Sequence, residues 1–228
     1  MNKRYEDKYL CTEGQLALVR VRARGCLRPD GAGENGRYTV RSLYFDGPDF
    51  PCARENEDGT SPREKYRLRL YNGDKSLIRA EIKRKDGLTS EKSSTVIDAA
   101  VARALISGQG ELVSSQDPVL RKFALKILTR GYRPSVLCEY SREAYLGSPG
   151  RVRVTLDRDL RVAADRERFL EDSIGPGVPV FGLGQGLLEV KYSLLLPGWI
   201  AGLVIPENGT KTAFSKYRMC RADIFERL

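Results

Sequence analysis

Histidine does not occur in this chain of 228 residues. Its absence removes serine–histidine and cysteine–histidine nucleophile systems and every imidazole metal site. Any metal would be held by carboxylates and other oxygens, which favours magnesium or manganese. General acid or base work would fall to Glu, Asp, Lys or Tyr. Cysteine is sparse: Cys11, Cys26, Cys52, Cys138 and Cys220 are scattered, odd in number and never spaced as CxxC. That pattern argues against a thiolate zinc site and for a reduced, cytoplasmic location. No run approaches the ~20 apolar residues of a membrane span, and the stretch from Met1 to Glu6 lacks the apolar segment of a secretory signal. No Walker sequence with Gly-Lys-Ser or Gly-Lys-Thr is present. Gly182, Gly184 and Gly186 do not complete a dinucleotide fingerprint either, because position 187 is Leu and the glycines precede a strand. They read as a flexible turn.

What the chain has is charge. Lys and Arg total 39 against 30 Asp and Glu, a formal net charge of +9, which points to an anionic partner. With 41% hydrophobic residues there is ample material for a core, and a single domain over residues 1–228 is expected. The charge is placed on alternate positions. Arg63, Lys65, Arg67 and Arg69 alternate with Glu64, Tyr66, Leu68 and Leu70. Arg79, Glu81, Lys83 and Lys85 follow, then Arg151 and Arg153 around Val152, then Glu189 and Lys191 among Leu188, Val190 and Tyr192. Alternate side chains of a strand point to opposite faces, so each segment builds one cationic face with a few carboxylates, backed by an apolar one. One such strand is ordinary, since half-buried antiparallel strands show a polar face to water. Four with the same bias crowd like charges that a bound anion would neutralise. Arg67 and Arg69 sit about 6.5 Å apart along a strand, a spacing at which two guanidiniums can clamp neighbouring phosphoryl groups.

The periodicity predicts strands at 3–11, 38–46, 63–72, 76–85, 88–96, 134–146, 151–157, 159–164 and 186–194. Helices are expected from Thr12, whose capping box closes on Gln15, and over 98–107, 118–130, 197–205 and the carboxyl end. Residues 48–60 read as a loop or short helix, 171–186 as a loop, and Asn72-Gly73-Asp74 as a hairpin turn. The class is α+β or a decorated barrel.

Several segments in this order carry a resemblance: Tyr5-Glu6-Asp7-Lys8-Tyr9, Ser42-Leu43-Tyr44-Phe45-Asp46, Lys65-Tyr66-Arg67-Leu68-Arg69 and Glu81-Ile82-Lys83. Glu139-Tyr140-Ser141-Arg142, Val152-Arg153-Val154-Thr155-Leu156-Asp157, Leu188-Glu189-Val190-Lys191-Tyr192 and Phe214-Ser215-Lys216-Tyr217 continue it. Together they resemble the polyphosphate polymerase domain of the vacuolar transporter chaperone (VTC) complex in its short bacterial form, a triphosphate tunnel metalloenzyme. The resemblance implies α+β architecture with a closed antiparallel barrel of about eight strands, polar and basic inside, with helices packed outside. It implies that Lys8, Arg67, Arg69, Lys83, Arg142, Arg153 and Lys216 bind phosphate groups, assisted by Ser215, with Lys92 and Lys191 as further contacts. Glu189 would hold Mn2+ or Mg2+. Glu6 and Glu81 share the polar face by parity and would support the metal or orient lysines. Arg4 stands where the triphosphatase branch has the first glutamate of its ExExK pattern, which weighs against a two-carboxylate metal site at that end. The chain carries no counterpart of the inositol-phosphate-sensing domain or membrane helices of the eukaryotic complex, so coupled translocation is not expected.

The implied reaction is attack of a polyphosphate end on the γ-phosphorus of ATP with release of ADP. The nucleophile is already ionised, so alignment and charge stabilisation would suffice. A hydrolase of inorganic or nucleoside triphosphates is the first alternative; water would need a carboxylate such as Glu6 or Glu81 to activate it. A non-catalytic module binding polyphosphate or nucleic acid is the second. Nucleic acid is the weaker partner, because carboxylates interrupt the basic face and the aromatics at 66, 140 and 192 are expected to pack under helices. Triphosphate or pyrophosphate is expected to raise the melting temperature in either enzymatic case.

Overall fold

The computed structural model describes residues 4–87, 89–113, 116–193 and 195–225. Lys3, Leu88 and Leu194, outermost residues of three expected strands, lie outside these. In chain order the elements are β1 (Arg4–Thr12), α1 (Glu13–Cys26), β2 (Arg28–Pro29), β3 (Arg37–Asp46), α2 (Pro51–Glu57), β4 (Arg63–Tyr71), β5 (Ile78–Asp86) and β6 (Thr89–Ile97). Then come α3 (Ala99–Ile106), α4 (Pro118–Arg130), β7 (Arg133–Gly147), β8 (Val152–Ala163), β9 (Val178–Pro179), β10 (Gln185–Ser193), α5 (Gly198–Val204) and α6 (Lys216–Phe225).

The ten strands form one sheet whose main path runs β1-β10-β8-β7-β3-β4-β5-β6, with β2 beside β7 and β9 beside β8. Every pairing with a described register is antiparallel. The α+β class and the eight strands of the main path match the expectation. Closure is not shown: among the described residues the hydrogen-bonded ladder ends at β1 and β6. The two strands expected at 151–157 and 159–164 are one, β8, which continues through Asp159 at a left-handed φ of 53°. Asp is among the few residues that adopt this conformation at low cost.

The chain divides into two compact units. The first comprises residues 1–39, 140–161 and 179–215; the second comprises 40–139, 162–178 and 216–228. In the first, α1 is set by the expected capping box: Thr12 accepts from the Gln15 amide at 3.2 Å, and the Gln15 side chain accepts from the Thr12 amide at 2.9 Å. Leu16, Val19 and Ala23 of α1 then pack on Tyr9, Val154, Leu156, Leu188 and Val190. The apolar residues of β1, β8 and β10 therefore face the helix, and their charged neighbours take the opposite face.

In the second unit Asp117 caps α4, accepting from the amides of Val119 and Leu120, and Gly131 ends it at φ 61°. Its stripe of Val119, Leu120, Phe123, Ala124 and Ile127 is buried. Phe123 meets Phe45 and Tyr66 edge-on at 4.9 and 5.4 Å between ring centres. Each such aromatic stabilises by roughly 1.5–3 kcal/mol through burial. Tyr66 thus packs under a helix as expected, and Tyr192 packs against the first unit's core. Tyr140 does not; it shares a face with Arg142, whose guanidinium lies 5.2 Å from the ring centre.

Candidate functional site: two carboxylate-centred cationic clusters

On β4, β5 and β6 the alternation places Arg67, Arg69, Glu81, Lys83 and Lys92 on one face of the second unit. Register opposes Arg67 to Glu81, Arg69 to Arg79, and Lys65 to Lys83, which in turn opposes Lys92. Three lysines therefore stand side by side across three strands. Like charges directly opposite one another destabilise a sheet, and Lys65 and Lys92 are offset in part by Asn56 and Glu81.

Glu81, 1% exposed, organises the guanidiniums beside it. Its carboxylate accepts from Arg67 Nε at 2.8 Å and pairs with Arg67 Nη2 at 2.6 Å, Arg69 at 3.7 Å and Lys92 at 3.0 Å. Burial by itself would raise its pKa, but Arg67, Arg69 and Lys92 together hold it well below the usual carboxylate range. Arg67 also donates to Tyr44 Oη at 3.3 Å and Arg69 to Ser42 Oγ at 3.2 Å, both from β3. Lys65 donates to Asn56 Oδ1 at 2.8 Å. Lys216, 8% exposed at the start of α6, completes the cluster. The buried Cys138 thiol marks where they meet: its pKa is lowered by a hydrogen bond with Cys220 and by the charges of Lys216, Arg69 and Arg67. The neighbouring Tyr217 hydroxyl donates to the buried Asp46 carboxylate, which also caps α2 through the amides of Cys52 and Ala53 and so fixes the first turn of α6.

The first unit repeats the theme around Glu189, 5% exposed on β10. Its partners are Lys191 at 3.3 Å, Lys8 at 3.7 Å and Arg142 at 3.8 Å. Glu6 shares both lysines, at 3.2 Å from Lys8 and 3.9 Å from Lys191. Lys8 also donates to the Phe214 carbonyl at 2.8 Å, next to Ser215. Arg142 is locked bidentately onto Asp157 at 2.6 and 2.7 Å. Burial would lower its pKa, but Asp157 raises it well above the ordinary value, so it stays charged. Arg153, opposite Lys191 in register, donates to Asp30 at 2.6 Å and Tyr38 Oη at 2.7 Å. Thr155 lies opposite Glu189, and its buried Oγ1 has no hydrogen-bond partner among the described residues.

Of the residues expected from sequence, Lys8, Glu6, Glu189, Lys191 and Arg142 are gathered into one cluster, with Arg153 beside it and Ser215 half-buried next in chain to Phe214. Arg67, Arg69, Glu81, Lys83, Lys92 and Lys216 fall in the other. Lys65, Arg79, Asp157 and Thr155 belong with them and were missed as site residues. Parity carried the signal for all four: Lys65, Arg79 and Thr155 each sit two positions from a residue that was chosen, and Asp157 sits four from Arg153 on the same face. Among the described residues no group of three or more carboxylates or thiols is close enough to hold a metal on its own. The donor chemistry still fits a hard cation at one place: Glu189, Glu6 and the orphaned Thr155 hydroxyl are all oxygen ligands. Both carboxylates have three cationic partners; those of Glu81 lie at 2.6–3.7 Å and those of Glu189 at 3.3–3.8 Å.

The family model for the VTC domain matches residues 3–225. No curated protein sequence matches the chain. Among solved structures it is similar to the PH1819 protein of Pyrococcus horikoshii, at 15% identity and a TM-score of 0.51, covering 98% of this chain and 99% of that one. A putative adenylate cyclase of Bacillus halodurans is similar at 13% identity and 0.50, over 88% and 87% of the two chains. A conserved hypothetical protein of Pyrococcus furiosus gives 12% identity and 0.50, over 95% and 99%. At such identities the likeness establishes the fold alone.

Proposed function

The chain belongs to the VTC-domain family, and from that premise we propose that it transfers the γ-phosphoryl group of ATP to the end of an inorganic polyphosphate chain. The proposal includes the closed tunnel that the family resemblance implies. The observation that carries it is the row of directly opposed lysines, Lys65, Lys83 and Lys92, beside Arg67 and Arg69. Such a face is stable and useful when a string of phosphates lies on it.

The division of labour follows from the partners each group already has. Arg67 and Arg69 are aimed by Glu81, Tyr44 and Ser42, so their forks are pre-organised for phosphoryl oxygens. Lys83, Lys92 and Lys216 add charge that neutralises the substrate as it is bound. In the first unit Arg142 is fixed by Asp157, whereas Lys8 and Lys191 bridge two carboxylates at 3.2–3.9 Å, distances from which an ammonium can turn towards phosphate. Glu189, with Glu6 and Thr155 beside it, would hold Mg2+ or Mn2+, whose remaining ligands are ordinarily water and substrate phosphate. The ion would supply charge stabilisation at the transferring phosphoryl group. No side chain has to take a proton from the attacking phosphate, which suits a chain without histidine.

Hydrolysis of triphosphates is the second reading, favoured by one observation: Glu6, 18% exposed, sits beside Glu189 across the same two lysines, where a carboxylate could orient water. Incubating the protein with ATP and Mn2+ while following the phosphorus spectrum separates the two. Growth of internal chain phosphates with ADP is expected, suppressed by Lys216→Ala. Orthophosphate without chains would make it a triphosphatase, and binding without turnover would overturn both.

A further inference from the structure

The strands that carry the Glu189 cluster hold a second charged group on their other face. Glu143 follows Arg142 on β7, and Arg158 follows Asp157 on β8, so strand alternation turns both towards the side on which α1 packs. Glu143 is 4% exposed and meets three guanidiniums: Arg24 of α1 at 3.2 Å, Arg37 of β3 at 3.4 Å and Arg158 at 3.9 Å. Its carboxylate also accepts from the Tyr145 hydroxyl, which in turn accepts from Arg24 Nε at 3.3 Å. One carboxylate is neutralised by one arginine, so the group has a surplus of two positive charges, reduced to one by Glu13, which pairs with Arg158 Nε at 2.9 Å.

The donors are in excess as well. A guanidinium carries five N–H groups, and Arg37 directs a single contact at Glu143 while its side chain is 50% exposed. Arg24 is 49% exposed. Arg158 Nη2 is buried without a hydrogen-bond partner among the described residues, and a buried donor without an acceptor is costly. Were the arginines only counter-ions of Glu143, one fully buried partner would serve better than two half-exposed ones and an orphan.

We infer that Arg24, Arg37 and Arg158 form an oxyanion site for a phosphate-class ligand, orthophosphate or pyrophosphate, on the α1 side of the first unit. Glu143 holds the three forks together, and the ligand takes the donors that Glu143 leaves. The site is separate from the residues assigned to phosphoryl transfer and does not depend on that assignment.

The test is calorimetric titration of orthophosphate and of pyrophosphate into the full chain, in wild type, Arg24→Ala, Arg37→Ala, Arg37→Lys, Glu143→Gln and Arg67→Ala. Arg37→Ala is expected to weaken one class of sites about tenfold, the worth of one charge-assisted contact, with the melting temperature unchanged in the absence of ligand. Arg37→Lys recovers part of the loss, since charge returns without the fork. Arg67→Ala leaves this class intact, so failure here and failure of the phosphoryl-transfer reading are told apart. Glu143→Gln supplies the opposite sign: removing the competing charge should tighten binding. Equal affinities and stoichiometry for wild type, Arg37→Ala and Arg24→Ala would overturn the site, as would binding that Arg67→Ala abolishes entirely.

Discussion

Glu81 and Glu189 are buried to similar depth, 1% and 5% exposed, and each meets three cations. Around Glu81 the contacts with Arg67 and Lys92 lie at 2.6–3.0 Å, within hydrogen-bond range, and Arg69 is farther at 3.7 Å. Around Glu189 all three ion pairs lie at 3.3–3.8 Å. Ion pairs this close in composition but different in length do different work. The short set holds guanidiniums in one orientation, and the long set leaves two lysines shared between Glu189 and Glu6. In the function proposed above, Glu81 is the scaffold and Glu189 takes part in the chemistry.

The largest effect expected from this contrast is on stability. Glu81→Ala leaves Arg67, Arg69 and Lys92 without their shared anion and should cost about 3–5 kcal/mol, read as a fall in urea midpoint. Glu189→Gln should lower the midpoint less, because Arg142 keeps Asp157 and both lysines keep Glu6. Its effect is on turnover: a loss of about 10²–10³-fold in phosphoryl transfer, checked by ADP release at saturating Mn2+. The reverse pattern, a stable inactive Glu81→Ala and an unstable active Glu189→Gln, would break the comparison.

Acid sharpens it further. The folded pKa of Glu81 lies below its ordinary value of 4.5. Its ionised form therefore contributes stability that is fully present above about pH 4.5 and is lost as pH falls towards the folded value. Glu81→Gln should flatten the acid limb of the stability curve, measured as urea midpoint from pH 6 downwards. The smallest effect belongs to Lys92→Ala, whose side chain is 48% exposed; removing its pairing should cost only ~0.2–1 kcal/mol. Triphosphate affinity should nonetheless fall, since the row of three lysines loses one member.

The strands, the capping box at Thr12 and the face carrying Arg67, Glu81 and Glu189 were legible because period-two alternation and local capping are encoded within a few residues. The short strand at Arg28–Pro29 was not, since two residues carry no period. Nor was the unbroken β8, which runs through a left-handed residue at Asp159 where the sequence suggested a break. Parity named the face but could not say which carboxylate would be ringed tightly, because that depends on register between strands far apart in sequence. The lysine row illustrates this: Lys65, Lys83 and Lys92 become neighbours only once β4, β5 and β6 are paired. The Arg24, Arg37 and Arg158 group left no sequence signal at all, being assembled from a helix and two strands.

The back-to-back placement of charge on β8 also bears on how the chain reaches its fold. In the native register Thr155 faces Glu189 and Arg153 faces Lys191, while Val154 and Leu156 enter the core. A slip of one residue would drive Arg153 and Asp157 among Tyr9, Leu16 and Val190 and bring Val154 and Leu156 out beside the charged groups of β10. A slip of one residue inverts every side chain of a strand, and an ion stranded in an apolar interior is among the most heavily penalised of errors. The same alternation that gathers the cations on one face therefore discriminates against mispaired intermediates, so that assembly is checked by the charged residues themselves.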